Sequence, residues 1–264
     1  MKIGGELGYR CLRWLKPGTA NQDGTDPPFS YIQKVKQIVG QDGWESLRGK
    51  TILDFGCGSG DGCIEMAQHG ATHVIGLDIR LHLLDVAKSS AERAGVADKC
   101  TFSDTTQEQV DVIVSIDAFE HFDNPMEILS TMNRLLAPDG SVIVSFGPTW
   151  YHPYGGHLFS IFPWSHLVFS ESALIRWRSD FKHDGATRFS EVSGGLNMIT
   201  IKRFEELVRQ SNFSIESFRA VPIKPLTWAH NPITREFTTS AVECKLVKEP
   251  EGSRSCRTAS TTPR

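Results

Sequence analysis

Residues 52 to 62 read Ile-Leu-Asp-Phe-Gly-Cys-Gly-Ser-Gly-Asp-Gly, a short apolar segment followed by a glycine-rich turn. The alternating glycines are Gly56, Gly58 and Gly60, and the acid Asp54 precedes them. Because glycine has no Cβ, backbone N–H groups in such a turn can closely approach a bound ligand. The stretch therefore predicts a strand, a cofactor-binding turn and a helix, in that order.

The spacing of these glycines differs from the dinucleotide-binding fingerprint. In G-x-G-x-x-G the third glycine would fall at position 61, where this chain has Asp61. Carboxylates at Asp54 and Asp61 would repel the phosphates of a dinucleotide, whereas they would attract a cationic or zwitterionic ligand. The turn therefore favours a cofactor that carries positive charge.

From Asp54 to Gly60 the chain resembles the first motif of the class I S-adenosylmethionine-dependent methyltransferases, an acid followed by alternating glycines. The resemblance continues at Val74-Ile-Gly-Leu-Asp-Ile-Arg80, where a second predicted strand ends in an acid. It implies S-adenosylmethionine as the cofactor, with Asp78 holding the ribose hydroxyls and Ile79 covering the adenine. The amino group and the sulfonium of this cofactor are cationic, as the acidic turn requires.

Three later segments match the family in the same order, and the matches together run from residue 50 to residue 147. Phe102-Ser-Asp104 carries an acid that would face the adenine amino group. Val112–His121 is similar to the fourth strand and its following loop, and Leu135–Val144 to the turn into the fifth strand. The resemblance implies this set of cofactor-binding residues: Asp54, Gly56, Cys57, Gly58, Gly60, Asp78, Ile79, Asp104, Asp117 and Ala118.

Predicted strands and helices alternate along the chain. The predicted strands cover 51–55, 72–77, 111–116 and 141–146, and the predicted helices 61–69, 80–94 and 125–136. This alternation is typical of βαβ units and a parallel sheet. A helix near 201–210 and strands near 213–221 and 236–247 resemble the closing hairpin of the family. We therefore predict a Rossmann-like, doubly wound α/β fold: seven strands, mostly parallel, with an antiparallel C-terminal hairpin and helices on both faces.

We predict one methyltransferase domain over residues 1–248. Its parts are an N-terminal flanking segment (1–49), a cofactor-binding core (50–147), a substrate lid insertion (147–199) and a closing helix and hairpin (200–248). Within the flanking segment, a loop from Gly18 to Pro28 precedes a helix from Phe29 to Val39 beside the cofactor mouth. The polar tail 249–264 is predicted to be disordered.

Composition limits the classes of protein to consider. The chain has 264 residues and a formal net charge of -3, and its basic residues form no run, so we expect no nucleic-acid partner. Its six cysteines form no Cys-x-x-Cys pair, which argues against a zinc ribbon or a disulfide scaffold. No apolar run has the length of a membrane helix. We expect a cytoplasmic protein with reduced thiols, and its oligomeric state is left open.

The insertion begins Gly147-Pro-Thr-Trp-Tyr-His-Pro-Tyr-Gly-Gly-His157. In open α/β sheets ligands bind outside the carboxyl ends of the strands, and the insertion leaves from one of those ends. We therefore expect it to form the acceptor pocket and its lid. Trp150, Tyr151 and Tyr154 would suit a flat, hydrophobic acceptor, although aromatic residues at this density equally serve to pack a lid.

Methyl transfer depends mainly on in-line placement of the acceptor. A hydroxyl or thiol acceptor also benefits from a base, and histidine is the side chain best matched to neutral pH. The candidates for this catalytic role are His121, His152 and His157. The plain alternative for His121 is a helix-terminal or loop histidine bonded to backbone, and for His152 and His157 it is an ordinary turn with exposed rings. Their spacing matches no short metal-binding motif, so no metal site is predicted.

The sequence thus predicts methyl transfer from S-adenosylmethionine to a small-molecule acceptor, with release of S-adenosylhomocysteine. Oxygen is the first choice of acceptor atom, and nitrogen, carbon and sulfur stay open. Asp117-Ala-Phe-Glu-His121 with the following Asn-Pro resembles the group that contains quinone-biosynthesis and small-molecule O-methyltransferases. The alternatives are a protein-substrate methyltransferase, an NAD(P)-dependent oxidoreductase and a catalytically silent cofactor-binding scaffold. Asp61 and the lack of a Tyr-x-x-x-Lys pair disfavour the oxidoreductase.

Overall fold

The computed structural model of the chain describes residues 2–16, 31–192 and 195–249. Three sequence-based predictions fall wholly or partly outside these ranges. They are the loop from Gly18 to Pro28, the first two residues of the helix predicted from Phe29 to Val39, and the disordered tail, of which only Glu249 is described.

A seven-stranded sheet forms the centre of the fold, in the order β3-β2-β1-β4-β5-β7-β6. Its strands are β1 Thr51–Phe55, β2 His73–Leu77, β3 Cys100–Ser103, β4 Val110–Ile116, β5 Leu136–Phe146, β6 Phe213–Pro222 and β7 Thr239–Lys248. Strands β1 to β5 pair in parallel, whereas β7 is antiparallel to both β5 and β6. The predicted fold is therefore confirmed.

The described residues also form helices, several of which begin at a side-chain cap supplied by the sequence. They are α1 Gly5–Leu15, α2 Tyr31–Glu45, α3 Asp61–His69, α4 Leu81–Arg93, α5 Pro125–Leu135, α6 Ser165–Val168, α7 Glu171–Arg178, α8 Ile201–Gln210 and α9 Arg235–Thr238. The side chain of Asn124 caps α5 by accepting from Glu127 N, and Pro125 stands in the first turn, where its missing N–H costs nothing. Thr200 caps α8 in the same way, through Arg203 N.

Neighbouring residues of one strand pack on opposite faces of the sheet. In β4, Ile113 lies in a core with α5 and α8, whereas Val112 and Val114 lie in a second core with α2, α3 and α4. Because both faces are covered, the strand is apolar at successive positions instead of alternating. Strand β1 lies between β2 and β4. The carboxyl ends of these three strands therefore meet at the switch point where ligands of such sheets bind.

A third apolar cluster joins the insertion to the N-terminal segment. Leu12 of α1 packs with Trp177 of α7 and other buried residues of the insertion. Ile3 forms an isolated β-bridge with Phe169, and the indole N–H of Trp177 donates to the carbonyl oxygen of Lys16 at 2.9 Å. The sequence did not predict this contact. The flanking segment thus braces the insertion that follows β5.

Within the described ranges, no helix combines the length and the apolar character needed to cross a membrane.

Candidate active site

The glycine-rich turn joins β1 to α3 at the carboxyl edge of the sheet. Gly56 has φ +91°, and a Cβ there would lie 2.6 Å from the Cβ of Ala118. Gly60 has φ +82°, and a Cβ there would lie 2.7 Å from the Cβ of Ala87. Both positions thus combine a left-handed backbone with a close approach, which only glycine tolerates. The turn is a cradle whose three glycines carry no side chain, and it packs against the loop that follows β4.

The acid predicted to hold the ribose is aimed at this turn. Asp78 is 7% exposed, and one of its oxygens accepts from Gly58 N at 2.9 Å. Arg80 donates to the same carboxylate from its backbone N–H and from its guanidinium. Burial raises the pKa of Asp78, but the hydrogen bonds from Arg80 and Gly58 outweigh it, so the pKa lies below its ordinary value. The next residue, Ile79, is exposed.

Asp54 lies beneath the turn, with both carboxylate oxygens occupied. It accepts from the hydroxyl of Tyr31 at 2.7 Å and from the thiol of Cys63 at 3.5 Å. Burial raises the pKa of Asp54 to about 7, against the lowering effect of these two hydrogen bonds. A contact between Asp54 and a cofactor stays a prediction.

Two further predicted cofactor residues are exposed acids at strand ends. Asp104 follows β3, and Asp117 follows β4. Asp117 has a left-handed backbone, with φ 51°, and its carboxylate forms an ion pair with Lys34 of α2. Left-handed non-glycine residues are uncommon and often mark functional sites. Both residues border the carboxyl edge of the sheet, and their cofactor contacts stay predictions.

Glu120 is a buried acid that sequence reasoning did not select. It is 2% exposed and lies in a short 3-10 turn, Phe119–His121. One of its oxygens accepts from Gly147 N at 3.1 Å, and the other, Oε2, is buried without a hydrogen-bond partner among the described residues. Burial raises the pKa of Glu120 to about 8. The only signal in the sequence was the acid within the run Asp-Ala-Phe-Glu-His.

His121 is held in a defined orientation. Its Nδ1 lies 2.9 Å from the carbonyl oxygen of Gly195. Since a carbonyl only accepts, Nδ1 must carry the proton, and in the neutral ring Nε2 then keeps its lone pair. The ring of His157, from the insertion, lies 5.4 Å from that of His121 between centroids. The structure thus brings together two of the three predicted catalytic histidines.

His157 also has strained backbone and an unpartnered nitrogen. Its φ is 50°, and its Nε2 is buried without a hydrogen-bond partner among the residues described. Burial, and then the neighbouring His121, lower the pKa of His157 to about 4, so the ring is neutral at neutral pH. Glu120, His121 and His157 form what we call the active-site cluster: one potential ligand atom from each lies within 4.8 Å of the other two.

The other predicted catalytic and acceptor residues are not members of this cluster. His152 is outside it: its Nδ1 accepts from Tyr154 N at 3.0 Å, and burial lowers its pKa to about 4. Trp150 is buried, with its ring against His166. Tyr151 packs on Phe237, and Tyr154 is half-exposed. Acceptor contacts by these four residues stay predictions.

The methyltransferase domain family matches residues 30–217. This match covers more than half of the chain, which therefore belongs to that family, the S-adenosylmethionine-dependent methyltransferases. The predicted family, enzyme class and methyl donor are confirmed. The glycine cradle and the ionised Asp78 beside it agree with a cofactor that carries both positive charge and a ribose.

Two of the similar proteins are named for different acceptors. The chain is 36% identical over 132 residues to the ribosomal protein L11 methyltransferase of Photobacterium profundum, covering 50% of this chain and 43% of that protein. It is 32% identical over 133 residues to the ubiquinone biosynthesis O-methyltransferase of Actinobacillus pleuropneumoniae, covering 47% and 56%. The chain spans about half the length of these curated relatives. One is named for a protein and the other for a quinone pathway.

Among solved structures, the chain is similar to geranyl diphosphate methyltransferase in complex with its cofactor. The TM-score is 0.54 at 13% identity, over 82% of this chain and 84% of that one. At this identity the likeness concerns the fold alone.

Proposed function

We propose that this protein transfers the methyl group of S-adenosylmethionine to a hydroxyl oxygen of a small molecule. When bound, S-adenosylmethionine supplies a methyl group on a sulfonium; the methyl passes to the acceptor oxygen, the hydroxyl proton leaves, and S-adenosylhomocysteine is released. The active-site cluster is the observation that supports an oxygen acceptor, because it places the imidazole of His121, oriented through its Nδ1–H, near a buried carboxyl group.

The cofactor would be held by the glycine turn and by the acid at the end of β2. Gly58 and Asp78 are already joined by a hydrogen bond, so the carboxylate is fixed at the edge of the cradle. Ala118 meets Gly56 of the same turn and stands two residues before Glu120. This contact supports the expectation that the cofactor turn and the active-site cluster lie close to each other.

A hydroxyl acceptor fits the chemistry of the cluster. A hydroxyl is a weak nucleophile until its proton is removed, so it gains more from a positioned base than a partly ionised thiol does. His121 can take this proton through Nε2, because its Nδ1–H is committed to Gly195. His157 is neutral but weakly basic, which suits binding of the hydroxyl better than removal of its proton.

The burial of the cluster favours a small acceptor. Glu120 and the Nε2 atom of His157 are both buried inside the protein. A small molecule can contact such buried groups directly, whereas a protein acceptor would have to rearrange to bring its side chain to them. Methylation of a protein side chain is the second candidate, and the identity to the L11 methyltransferase favours it.

The test is a methyl-transfer screen with isotope-labelled S-adenosylmethionine against phenols, catechols, thiols, amines and unfolded polypeptides. We expect label on hydroxyl compounds. With an acceptor identified, His121→Ala should lower kcat by about 10²- to 10⁴-fold, the usual contribution of a positioned base, with little change in cofactor affinity. His183→Ala, at an exposed histidine of the insertion, is the matched control. Labelling of polypeptide alone would overturn the small-molecule proposal.

A further inference from the structure

We infer that Glu120, His121 and His157 form a binding site for a divalent transition-metal ion. One potential ligand atom from each residue lies within 4.8 Å of the other two. Two imidazoles and one carboxylate are a ligand set that zinc and ferrous iron take in proteins, with further positions open to water or substrate. Binding of the ion is independent of the proposed function, whereas the role given to its open position rests on that function.

The unpartnered atoms of the cluster are the strongest indication of a missing ligand. Oε2 of Glu120 and Nε2 of His157 are both buried and have no hydrogen-bond partner among the described residues. Buried polar atoms are nearly always paired, and exceptions call for an explanation such as an ion. Both atoms belong to residues of the active-site cluster, so a single ion bound there is a partner that the two could share.

His121 has the arrangement that metal-binding histidines show. Its Nδ1 bonds to a backbone carbonyl, that of Gly195, at 2.9 Å. Such a partner on the outer nitrogen fixes the tautomer, orients the ring and leaves Nε2 as the ligand atom. Glu120 is oriented in a similar way, since Gly147 N occupies its Oε1 and leaves Oε2 for the ion.

The turn that carries two of the three ligands is braced from a distant part of the chain. The amide of Asn197 donates to the carbonyl oxygens of Phe119 and Phe122 at 2.8 and 2.9 Å. The backbone N–H of Asn197 donates to the carbonyl oxygen of Glu120 at 3.0 Å. Glu120 and His121 therefore have fixed backbone positions, and His157 approaches them from the insertion.

The ligand atoms of the cluster need to move only slightly closer together to coordinate an ion. With zinc bonds of about 2.0–2.1 Å and tetrahedral angles, ligand atoms stand roughly 3.3 Å apart. The ligand atoms of the cluster lie within 4.8 Å of one another, so rotation of side chains can bring them to that spacing.

The open position of the ion would take a hydroxyl oxygen of the acceptor. A bound divalent ion lowers the pKa of a coordinated hydroxyl, as it does for water, and the released proton passes to solvent. In that state both imidazoles are occupied as ligands, and the ion replaces His121 as the group that activates the acceptor. The chemical class of acceptor is therefore a molecule with at least one hydroxyl that can coordinate a metal.

The experiment is calorimetric titration of chelator-treated full chain with Zn²⁺ alone. We expect saturable binding of one ion per chain. Glu120→Gln and His157→Ala should each weaken it at least about 100-fold, since changes in the partners of metal ligands already cost 10–100-fold. His183→Ala, at an exposed histidine of the insertion that lies outside the cluster, should bind Zn²⁺ like the wild type.

Two further measurements distinguish loss of the metal site from misfolding of a variant and from failure of the proposed function. Co²⁺-loaded wild-type protein should show hyperfine-shifted proton signals from two imidazoles, and their absence would overturn the site without any variant. S-adenosylhomocysteine binding is measured on the same samples. Cofactor binding with no saturable Zn²⁺ binding would overturn the metal site alone, whereas Zn²⁺ binding without cofactor binding would overturn the proposed function alone. Unchanged Zn²⁺ affinity in His157→Ala would also refute the site.

Discussion

The pH dependence of stability should report the buried acid Asp54. Burial raises its pKa from 3.8 to about 7 in the folded protein, despite hydrogen bonds from Tyr31 and Cys63. In the unfolded chain an aspartate titrates near its ordinary value, about 3.9. Between these two pKa values the folded protein keeps a proton that the unfolded chain has released.

The sign of the effect follows from this difference. Because the unfolded state binds fewer protons over this range, the free energy of unfolding falls as pH rises. The contribution of Asp54 is fully present below about pH 4 and is lost as pH rises to about 7, above which both states are ionised. With about three pKa units between the states and 1.36 kcal/mol for each, the loss is about 4 kcal/mol.

Asp54→Asn isolates the pH-dependent contribution of Asp54 to the free energy of unfolding, since the amide keeps the shape of the protonated acid and does not titrate. Urea unfolding of wild type and variant at about pH 5, 6, 7 and 8 gives the difference in unfolding free energy. Between about pH 5 and pH 8, we expect the unfolding free energy of the variant to rise by about 3 kcal/mol relative to that of wild type. Most of this change falls below about pH 7, at about 1.36 kcal/mol per pH unit. Asp104→Asn, at an exposed acid, is the control. A constant difference across this range would show that Asp54 is already ionised at the lowest pH, contrary to our reasoning.

Three further variants test the cradle and its surroundings. Asp78→Ala should weaken S-adenosylhomocysteine binding about 10- to 150-fold in calorimetry, since a hydrogen bond to a charged group contributes about 1.5–3 kcal/mol; affinity within twofold of wild type would contradict the ribose assignment. Gly60→Ala should lower unfolding free energy by about 1–3 kcal/mol because it combines left-handed backbone with a contact of 2.7 Å to Ala87; an unchanged urea midpoint would show that the turn relaxes freely. Asn197→Ala should cost about 1–3 kcal/mol in the same assay because it leaves buried carbonyls unpaired, and a neutral result would mean that water replaces the amide.

Local patterns predicted the regular elements well. The helices 61–69 and 201–210 and the strand 51–55 match the structure residue for residue. Strong local signals mark both helices: glycines stand on both sides of α3, and a threonine caps the start of α8. Strand β5 begins earlier than predicted, at Leu136 instead of residue 141, because its first part pairs with β4 across a register shift. That shift has no signature in a single sequence.

The grouping of residues in the active-site cluster could not be predicted from the sequence. The sequence predicts both His121 and His157 as catalytic candidates, but their separation of 36 residues gives no reason to pair them. Glu120 was not selected as a site residue, because its burial and its unpartnered oxygen arise from packing against β5 and the insertion. The same limit explains the N-terminal segment, whose contact with the insertion depends on the bridge from Ile3 to Phe169. Long-range contacts decide these features.

The most direct measurement is calorimetric titration of the purified chain with S-adenosylhomocysteine and then S-adenosylmethionine, with NADH and NADPH as controls. It requires no knowledge of the acceptor. We expect saturable binding of the two sulfur cofactors and none of the nicotinamides. Binding of a nicotinamide cofactor, or of no cofactor at all, would contradict the assignment of the glycine cradle and Asp78.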